Sequence, residues 1–397
     1  MRRAIPVLAA VLVAACQKAP APPVAVAPGS PDAAAPAAAA EPHQTLVRHE
    51  PGTLFGGELG LDHVGIAVRD LAVAKRIYTE TLGFGAPQDG KLNNGLKNVT
   101  LYFADNGYLE LMTPVGPLDS ARGDGGTARG DGGTARGDGG TARGDGGTAR
   151  GDAGTAREEP RAEWLEAFLE KTEGANFVLL STWDLEETRE FLKVRGAQLT
   201  EAAGGRIEAA GVIPGTEPLW HTAFFKPPSP LPGGRVGFIA YRRDKREHSL
   251  EQMVKTLKVK KGPHPNTARL MRAVWMVVKD LEAAKKAYAD VGFEAQRQFE
   301  DARLGAKGLE LSAGKGSILL LQPSDPKGAA AAFLARRGES LCGVSVEVMS
   351  LEKAAGFIQP KTGRTFAPYT GLYGKSFLLP PELTFDVWME LFETTGG

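Results

Sequence analysis

One segment of this chain occurs twice, and the duplication constrains the fold more than any other feature. Residues 61–84 read LDHVGIAVRDLAVAKRIYTETLGF, and residues 271–293 read MRAVWMVVKDLEAAKKAYADVGF. Aligning Asp70 with Asp280 matches residues along both segments, in the pairs Val68/Val278, Leu71/Leu281, Ala74/Ala284, Lys75/Lys285 and Tyr78/Tyr288. A strand, a capping aspartate and an amphipathic helix are repeated, so the fold is predicted to consist of related units.

A histidine distinguishes the two copies. His63 lies on the strand of the first copy, and Ala273 occupies the same position in the second copy. Side chains alternate along a strand, which places His63, Gly65 and Ala67 on one face. We therefore expect any chemistry of this protein to lie in the first copy.

The residues around the first copy predict a β-α-β-β-β unit. Asp70 is expected to cap a helix over 71–82, which Gly83 can end. Apolar strands then follow at 98–103 and 108–112, joined by the tight turn Asp105-Asn106-Gly107. Three later stretches fit the same plan, with strands predicted at 177–180, 220–225, 236–241, 318–321, 344–348 and 387–392.

The first residues of the chain predict a signal peptide. Two arginines precede an apolar run over 4–15 that is too short to span a bilayer as a mature helix. The run ends in Val13-Ala14-Ala15-Cys16, which resembles the lipobox of bacterial lipoproteins, in which the cysteine is lipidated. The alternative is an ordinary signal peptide with a chance cysteine.

Lipidation of Cys16 would attach the protein to the bacterial cell envelope through a lipid anchor alone. Gln17 follows the cysteine, and an aspartate there would imply retention at the inner membrane, so the outer membrane is favoured. Residues 17–57 are rich in Ala and Pro and are predicted to be a tether. The remaining cysteine, Cys342, lies in an apolar strand and is expected to be a buried thiol.

Charge argues against nucleic acid as a partner. The chain has 47 Lys and Arg residues and 47 Asp and Glu residues, which gives a formal net charge of zero at pH 7. Binding to nucleic acid needs a basic excess.

A tract over 119–158 repeats the seven-residue unit ARGDGGT. The unit is neutral, Gly-rich and free of large apolar side chains, so a disordered loop is predicted. The tract contains Arg-Gly-Asp five times, beginning at Arg122. One interpretation is cell adhesion, and the other is expansion of a repetitive tract within a tolerant loop, which we favour because the motif has only three residues.

Four β-α-β-β-β units resemble the vicinal oxygen chelate superfamily, and within it the glyoxalase-like proteins. The segments that carry the resemblance are Leu61-Asp62-His63-Val64, Tyr108-Leu109-Glu110-Leu111 and His264-Pro265-Asn266. The resemblance implies an α+β fold in which four βαβββ units pair into two half-open barrels. The first barrel is predicted over 58–262, interrupted by the repeat tract, and the second over 263–397.

The resemblance also implies a metal site in the first barrel. His63 and Glu110 stand at the ligand positions of the first and last strands of unit one, and His221 is a candidate third ligand. Such a set would suit Zn²⁺, Ni²⁺, Mn²⁺ or Fe²⁺. Glu110 is also the candidate catalytic residue, as a general base.

The second unit lacks matching ligands. Asn176 or its neighbour falls at one ligand position, and Ala240 falls where a glutamate is wanted. The alternative is therefore a cavity without metal, in which His63 and Glu110 bond each other or a ligand. Candidate substrate contacts are Asn98, Tyr108, Asn176 and His264, although His264 is equally explained as a polar linker residue.

The second barrel has fewer polar candidates. Its ligand positions are occupied by Ala273, Leu319, Gly343 and Glu390, so this half is interpreted as structural or as an apolar cavity. Two hypotheses about function follow. The protein is either a metal-dependent glyoxalase-like lyase or isomerase, or a lipid-anchored module that binds a small molecule without turnover.

Overall fold

The computed structural model describes residues 53–55, 59–92, 95–115, 162–205, 218, 220–241 and 263–394. The predicted signal peptide over 1–16 with Cys16, most of the tether over 17–57 and the repeat tract over 119–158 lie outside the described residues. Within the described part of the chain, no helix is long and apolar enough to cross a membrane.

The first half of the chain contains two units of the same plan. The first unit contains β1 (Gly60–Ala67), α1 (Leu71–Arg76), a π-helical turn (Ile77–Thr81), β2 (Gln88–Leu92), β3 (Leu96–Tyr102) and β4 (Tyr108–Pro114). The second contains α2 (Glu163–Lys171), β5 (Gly174–Ser181), α3 (Leu185–Lys193), β6 (Ala203–Gly205), β7 (Trp220–Phe224) and β8 (Arg235–Tyr241).

The second half repeats this arrangement. Its first unit contains β9 (Ala268–Val277), α4 (Leu281–Asp290), β10 (Ala295–Asp301), β11 (Ala306–Ala313) and β12 (Gly316–Pro323). Its second contains α5 (Ala329–Arg337), β13 (Ser340–Val348), α6 (Leu351–Thr362), β14 (Tyr369–Thr370), β15 (Lys375–Leu379), a 3₁₀ turn (Pro381–Leu383) and β16 (Trp388–Glu393).

Each half forms one eight-stranded mixed sheet. The strand orders are β2-β3-β4-β1-β5-β8-β7-β6 and β10-β11-β12-β9-β13-β16-β15-β14, which are the same order in two copies. Within each unit the first and last strands are parallel, and the two units meet where β1 pairs antiparallel with β5 and β9 with β13. The predicted fold class, α+β with two half-open barrels, is confirmed.

Capping side chains fix where the helices begin. The carboxylate of Asp70 accepts a hydrogen bond from the backbone N–H of Val73, and Asp184 caps α3 in the same way. Asp280 and the Ser350 hydroxyl do the same for α4 and α6. These bonds satisfy amide donors that have no partner inside a helix, which explains why the duplicated aspartate marks the starts of α1 and α4.

The first strand of every unit contains a bulge at the same place. The pairing of β1 with β5 skips Asp62 on one strand and Asn176 on the other, and the pairing of β9 with β13 skips Arg272 and Cys342. A bulge leaves one residue unpaired and locally breaks the strict alternation of side chains. The bulged residue immediately precedes His63 in unit one, with consequences for the site.

The duplicated tyrosines join the two halves. The hydroxyl of Tyr78 donates to the backbone carbonyl of Thr384 at 3.2 Å, and that of Tyr288 donates to the carbonyl of Pro232 at 3.0 Å. Each tyrosine thus reaches the segment that precedes the last strand of the opposite half. Both side chains are fully buried in one hydrophobic core that includes residues of both sheets.

Candidate functional site

The first sheet curls around a cavity of about 330 Å³. Its wall is largely apolar and aromatic, formed by Trp164, Phe177, Leu179, Trp220, Phe224 and Ile239. His63, Asn98, Tyr108 and Glu110 also line it, so four of the side chains predicted to belong to the site share one cavity. A cavity of this size with a few polar groups among apolar walls is typical of a small-molecule site.

His63 is held by the residue that precedes it. Its Nδ1 lies 2.6 Å from a carboxylate oxygen of Asp62, and the hydroxyl of Tyr241 donates to the same oxygen at 3.2 Å. Strict alternation would place Asp62 and His63 on opposite faces of β1. The bulge at Asp62 brings the two side chains together. Because Nδ1 donates to Asp62, Nε2 faces the remaining polar groups of the cavity.

Glu110 continues this polar chain from β4. One carboxylate oxygen accepts a hydrogen bond from the Asn98 amide at 2.7 Å, and the other lies 3.6 Å from Nε2 of His63. The distance of 3.6 Å is too long for a good hydrogen bond, so neither group fully uses the other. The side-chain oxygen of Asn98 is buried and has no hydrogen-bond partner among the described residues.

Tyr108 covers the imidazole. The rings of Tyr108 and His63 stack with centroids 4.1 Å apart and planes inclined by 12°, and the hydroxyl lies 3.4 Å from Nε2. Burial raises the pKa of the Tyr108 phenol well above its ordinary value, and the nearby Tyr241, Asp62 and Glu110 add to this. The phenol therefore stays neutral and is available as a hydrogen-bond donor.

His221 is not brought to the cavity. On β7 the neighbours Trp220 and Thr222 line the cavity, and alternation directs the side chain of His221 to the other face. The expectation that His221 supplies a third metal ligand therefore has no support in the geometry.

Asn176 also lies away from the cavity. It is the bulged residue of β5, and its neighbour Phe177 lines the cavity instead. The strand register further shows that Gly237, not Ala240, occupies the position matching Glu110, since Phe177 pairs with Arg235 as His63 pairs with Tyr108. The prediction that Ala240 occupies this position is wrong, because the register of β8 against β5 cannot be read from the sequence alone.

His264 is a structural linker residue in this fold. Its Nδ1 accepts a hydrogen bond from the backbone N–H of Gly85 at 2.9 Å, and its Nε2 donates to the carbonyl of Tyr102 at 3.0 Å. Burial lowers the pKa of His264, which agrees with a neutral ring that donates at one nitrogen and accepts at the other. Both nitrogens are used, so His264 is not free to contact a substrate.

The residues present do not fit a divalent metal. His63 and Glu110 are two ligands, and the matching positions across the cavity hold Phe177 and Gly237, which offer none. In the described part of the chain, no group of three or more His, Cys, Asp or Glu side chains is arranged to hold a metal ion. Metal sites in proteins need three or four such ligands. No chemical step is therefore assigned to a metal.

The second half also contains a cavity, of about 390 Å³, in which the carboxylate of Glu390 is already engaged. Glu390 accepts hydrogen bonds from the hydroxyls of Ser345 and Tyr369, both at 2.7 Å. Glu310, which does not line this cavity, accepts hydrogen bonds from Arg297, Ser317 and Tyr373. The prediction that Cys342 is a buried thiol is confirmed, and burial raises its pKa.

Two functional residues were missed by reasoning from the sequence. Asp62 was given no role, because strict alternation along β1 implies the face opposite His63 and the bulge is not visible in the sequence. Tyr241 was noted only as the end of a strand. The spacing of Tyr241 from Arg235 and Ile239 could have indicated its place, because residues two and four apart share one face of a strand. All three side chains line the cavity.

The profile of the glyoxalase-like domain family matches residues 61–292, which is more than half of the chain. Among solved structures, a triple mutant of 4-hydroxymandelate synthase from Streptomyces coelicolor is 10% identical and matches with a TM-score of 0.53, over 85% of this chain and 93% of that chain. Methylmalonyl-CoA epimerase from Mycobacterium tuberculosis is 20% identical over 33% of this chain and 91% of that chain, with a TM-score of 0.30. At these identities the structural matches concern the fold alone. Comparison with curated protein sequences gives no significant relative.

Proposed function

Because the chain belongs to the glyoxalase-like domain family, with a fold shared by structures of the vicinal oxygen chelate superfamily, we propose that its first half binds a small organic molecule. A hydroxyl or amide group of this ligand contacts His63 and Glu110. The apolar body of the ligand lies against the aromatic wall formed by Trp164, Phe177 and Phe224.

The observation that carries this proposal is the polar chain within an apolar cavity. Tyr241, Asp62, His63, Glu110 and Asn98 follow one another in hydrogen-bonding or near-bonding contact. All except Tyr241 belong to the first unit, and Asp62, His63 and Glu110 are 5%, 2% and 6% exposed. Buried polar groups are costly unless they have partners, so such a chain in a cavity is best explained by a ligand.

A ligand would gain its most favourable hydrogen bonds in the gap between His63 and Glu110. Nε2 of His63 and the nearer oxygen of Glu110 lie 3.6 Å apart and both border the cavity. A ligand hydroxyl or amide can donate to the carboxylate while its oxygen accepts from the Tyr108 hydroxyl. Each such bond would replace a weak internal contact by one of ordinary length.

Fluorine NMR of protein labelled with 5-fluorotryptophan tests this proposal. The chain has five tryptophans, of which Trp164 and Trp220 line the first cavity and Trp275 lines the second. Titration with 3-phenylpropanamide, a neutral probe with one aromatic and one polar end, should shift the resonances of Trp164 and Trp220 to saturation. The resonance of Trp275 should not move.

A matched pair of variants provides the control. Leu179→Trp places an indole in the first cavity, and Leu319→Trp places one in the second cavity. Calorimetry should show that the probe no longer binds the first variant and binds the second like the parent protein. Shifts confined to Trp275, or equal loss of binding in both variants, would contradict the proposal.

A second candidate function is proton transfer, as in a lyase or isomerase, and the Asp62–His63 contact favours it. A carboxylate that holds Nδ1 fixes the tautomer and the orientation of the ring, an arrangement used in general acid–base catalysis. Glu110 would take a proton from a carbon next to a carbonyl, and the Tyr108 hydroxyl would donate a hydrogen bond to that carbonyl oxygen. The oriented imidazole of His63 would hold Tyr108 in place by stacking.

This candidate is tested by exchange in D₂O. Proton NMR should show that the protein accelerates loss of the C3 proton signal of 2-oxobutanoate. Glu110→Gln should abolish the acceleration, and Glu390→Gln, a change at the matching strand position of the second half, should leave it intact. Exchange at the uncatalysed rate would leave binding without turnover as the function.

We further propose that the protein is anchored to the bacterial envelope through lipid on Cys16. The support is the sequence alone, in the apolar run and the small residues before that cysteine. Metabolic labelling with an alkyne fatty acid should mark the parent protein and not Cys16→Ser. The control is Cys342→Ser, which alters a buried thiol. Equal labelling of all three proteins, or of none, would contradict the anchor.

A further inference from the structure

Arg235 stands out among the residues of the first cavity. It begins β8 and is the one Lys or Arg among the described residues that line this cavity. Its guanidinium carbon lies 4.6 Å from the ring centroid of Trp164 and 4.7 Å from that of Phe224. Two aromatic faces therefore hold the side chain at the cavity, while the residue as a whole remains exposed to solvent at its mouth.

No acidic side chain in the described part of the chain forms an ion pair with Arg235. Other arginines of this protein show the contrast, since Arg297 pairs with Glu310 and Arg336 pairs with Asp386. Glu201 lies on the rim of the same cavity but forms no such pair with Arg235 among the described residues. The guanidinium thus retains its donors for another group.

The rings between Arg235 and His63 separate two different ends of the cavity. Phe177 pairs with Arg235 across the strands and meets the ring of His63 edge-on, with centroids 5.9 Å apart. Trp164 and Phe224 lie beside Phe177, at 6.2 Å and 5.6 Å. The cavity therefore has a cationic end at Arg235, an aromatic middle and the polar end at His63 and Glu110.

We propose that the ligand of this cavity is a small organic anion, whose carboxylate is bound by Arg235. The inference rests on the proposed function and adds the charge and the orientation of the ligand. The planar guanidinium offers parallel donors that match the two oxygens of a carboxylate, and stacking on aromatic rings fixes its plane. The body of the anion then lies against Phe177, and its far end contacts Glu110.

The charges at the two ends of the cavity favour one orientation of such a ligand. Asp62 and Glu110 lie at the deep polar end, where a ligand carboxylate would face two acidic side chains. Opposite charge at Arg235 attracts the carboxylate, and like charge at the other end repels it. A ligand with a carboxylate at one end and a hydroxyl or carbonyl at the other complements both ends.

The experiment compares 3-phenylpropanoate with 3-phenylpropanamide, two probes of the same shape that differ in charge. Affinities are measured by calorimetry, and the site is reported by the fluorine resonances of Trp164 and Trp220. The variants are Arg235→Gln, Arg235→Lys and, as a control, Arg195→Gln. Arg195 also stacks on a ring, that of Phe191 at 3.6 Å, but lies outside this cavity. Its substitution removes the same charge.

The parent protein should bind the carboxylate more tightly than the amide. Arg235→Gln should weaken binding of the carboxylate probe about tenfold or more, because the lost bond involves a charged acceptor. The affinity for the amide probe should change less than about twofold. Arg235→Lys should retain part of the preference for the carboxylate over the amide, and Arg195→Gln should retain the whole preference.

Three outcomes would overturn the inference. If the parent protein prefers the amide, or Arg235→Gln weakens both probes equally, then Arg235 does not recognise an anion and the proposed function still stands. If neither probe shifts Trp164 or Trp220 in the parent protein, the proposed function and this inference fail together.

Discussion

The two halves of the molecule place an aromatic ring at the same point of the sheet but take it from opposite strands. In the first half, Gly65 of β1 pairs with Phe177 of β5, and a Cβ at Gly65 would lie 2.6 Å from the Phe177 ring. In the second half, Trp275 of β9 pairs with Gly343 of β13, and a Cβ at Gly343 would lie 2.7 Å from the indole. The same sheet therefore builds two differently shaped cavities.

The polar groups show what this difference means for function. Glu110 and Glu390 occupy equivalent positions on β4 and β16. Glu390 has a hydroxyl on each carboxylate oxygen, whereas Glu110 has one amide partner and a loose contact with His63. A duplicated fold can thus keep one site open for a ligand while the other satisfies its polar groups internally.

The largest difference between the halves is expected at the bulged residues. Asp62→Ala removes the partner of buried His63 and Tyr241, and should lower the free energy of unfolding by about 3 kcal/mol or more. Arg272→Ala alters the matching residue of the second half, which is exposed, and should cost less than about 0.5 kcal/mol. Denaturant titration measures both. Equal losses would show that the polar chain does not distinguish the halves.

The second largest difference in stability between the halves is expected at the two glycines that pair with the aromatic residues. A Cβ at Gly343 would meet the carbonyl oxygen of Trp388 at 2.8 Å as well as the indole, and the backbone cannot easily yield. Gly343→Ala should therefore lower the free energy of unfolding by about 1–3 kcal/mol.

The matched change is Gly65→Ala. A Cβ there would meet the ends of the Met112 and Phe177 side chains, which can move, so the loss should stay below about 1 kcal/mol. Denaturant titration of both variants decides this. A larger loss at Gly65 would show that the Met112 and Phe177 side chains yield less readily than the backbone at Trp388.

The next difference concerns ligand affinity, which the equivalent residues Glu110 and Glu390 should affect differently. Glu110→Gln should weaken binding of 3-phenylpropanamide about tenfold, which is about 1.4 kcal/mol, because the amide of the probe loses a charged acceptor. Glu390→Gln should leave this affinity unchanged. Calorimetry on both variants tests this, and loss of affinity in Glu390→Gln alone would place the ligand in the second half.

The smallest effect concerns pH and lies within the second half. Burial raises the pKa of Glu390 above its ordinary value of 4.5, despite the hydrogen bond from Ser345. The folded state then holds this proton more tightly than the unfolded state, so stability falls as pH rises from about 4.5 through the raised value. Glu390→Gln should remove that decrease in denaturant titrations across pH, and an unchanged profile would contradict it.

Glu310 provides the opposite case. Desolvation opposes ionisation there, but hydrogen bonds from Ser317, Tyr373 and Arg297 lower its pKa below 4.5. Its stabilising contribution is therefore present above pH 4.5 and is lost as pH falls through the lowered value. Glu310→Gln should flatten the acid side of the stability profile. Identical profiles for the two glutamine variants would show that these carboxyls do not behave differently.

The duplication made the fold predictable from the sequence. Asp70 and Asp280 marked helix starts correctly, and Tyr108 and Glu110, both predicted to belong to the site, lie on the cavity face of β4. These features depend on local chemistry, which a sequence displays directly.

The site was predictable only where the strands are regular. Asp62 and Asn176 are bulged residues, and a bulge is decided by pairing with a strand more than a hundred residues away. The role of Arg235 depends on two rings, Trp164 and Phe224, that come from a helix and another strand. Neighbours of this kind follow from the tertiary fold, so no local pattern marks them.

The reciprocal bonds of Tyr78 and Tyr288 bear on the origin of the molecule. In a symmetric homodimer, residue i of one subunit contacts residue j of the other, and the same contact occurs in reverse. These tyrosines keep that reciprocity within a single polypeptide, each bonded to the segment before the last strand of the other half. The molecule is organised as two subunits fused end to end, and fusion frees each copy to evolve separately without losing its companion.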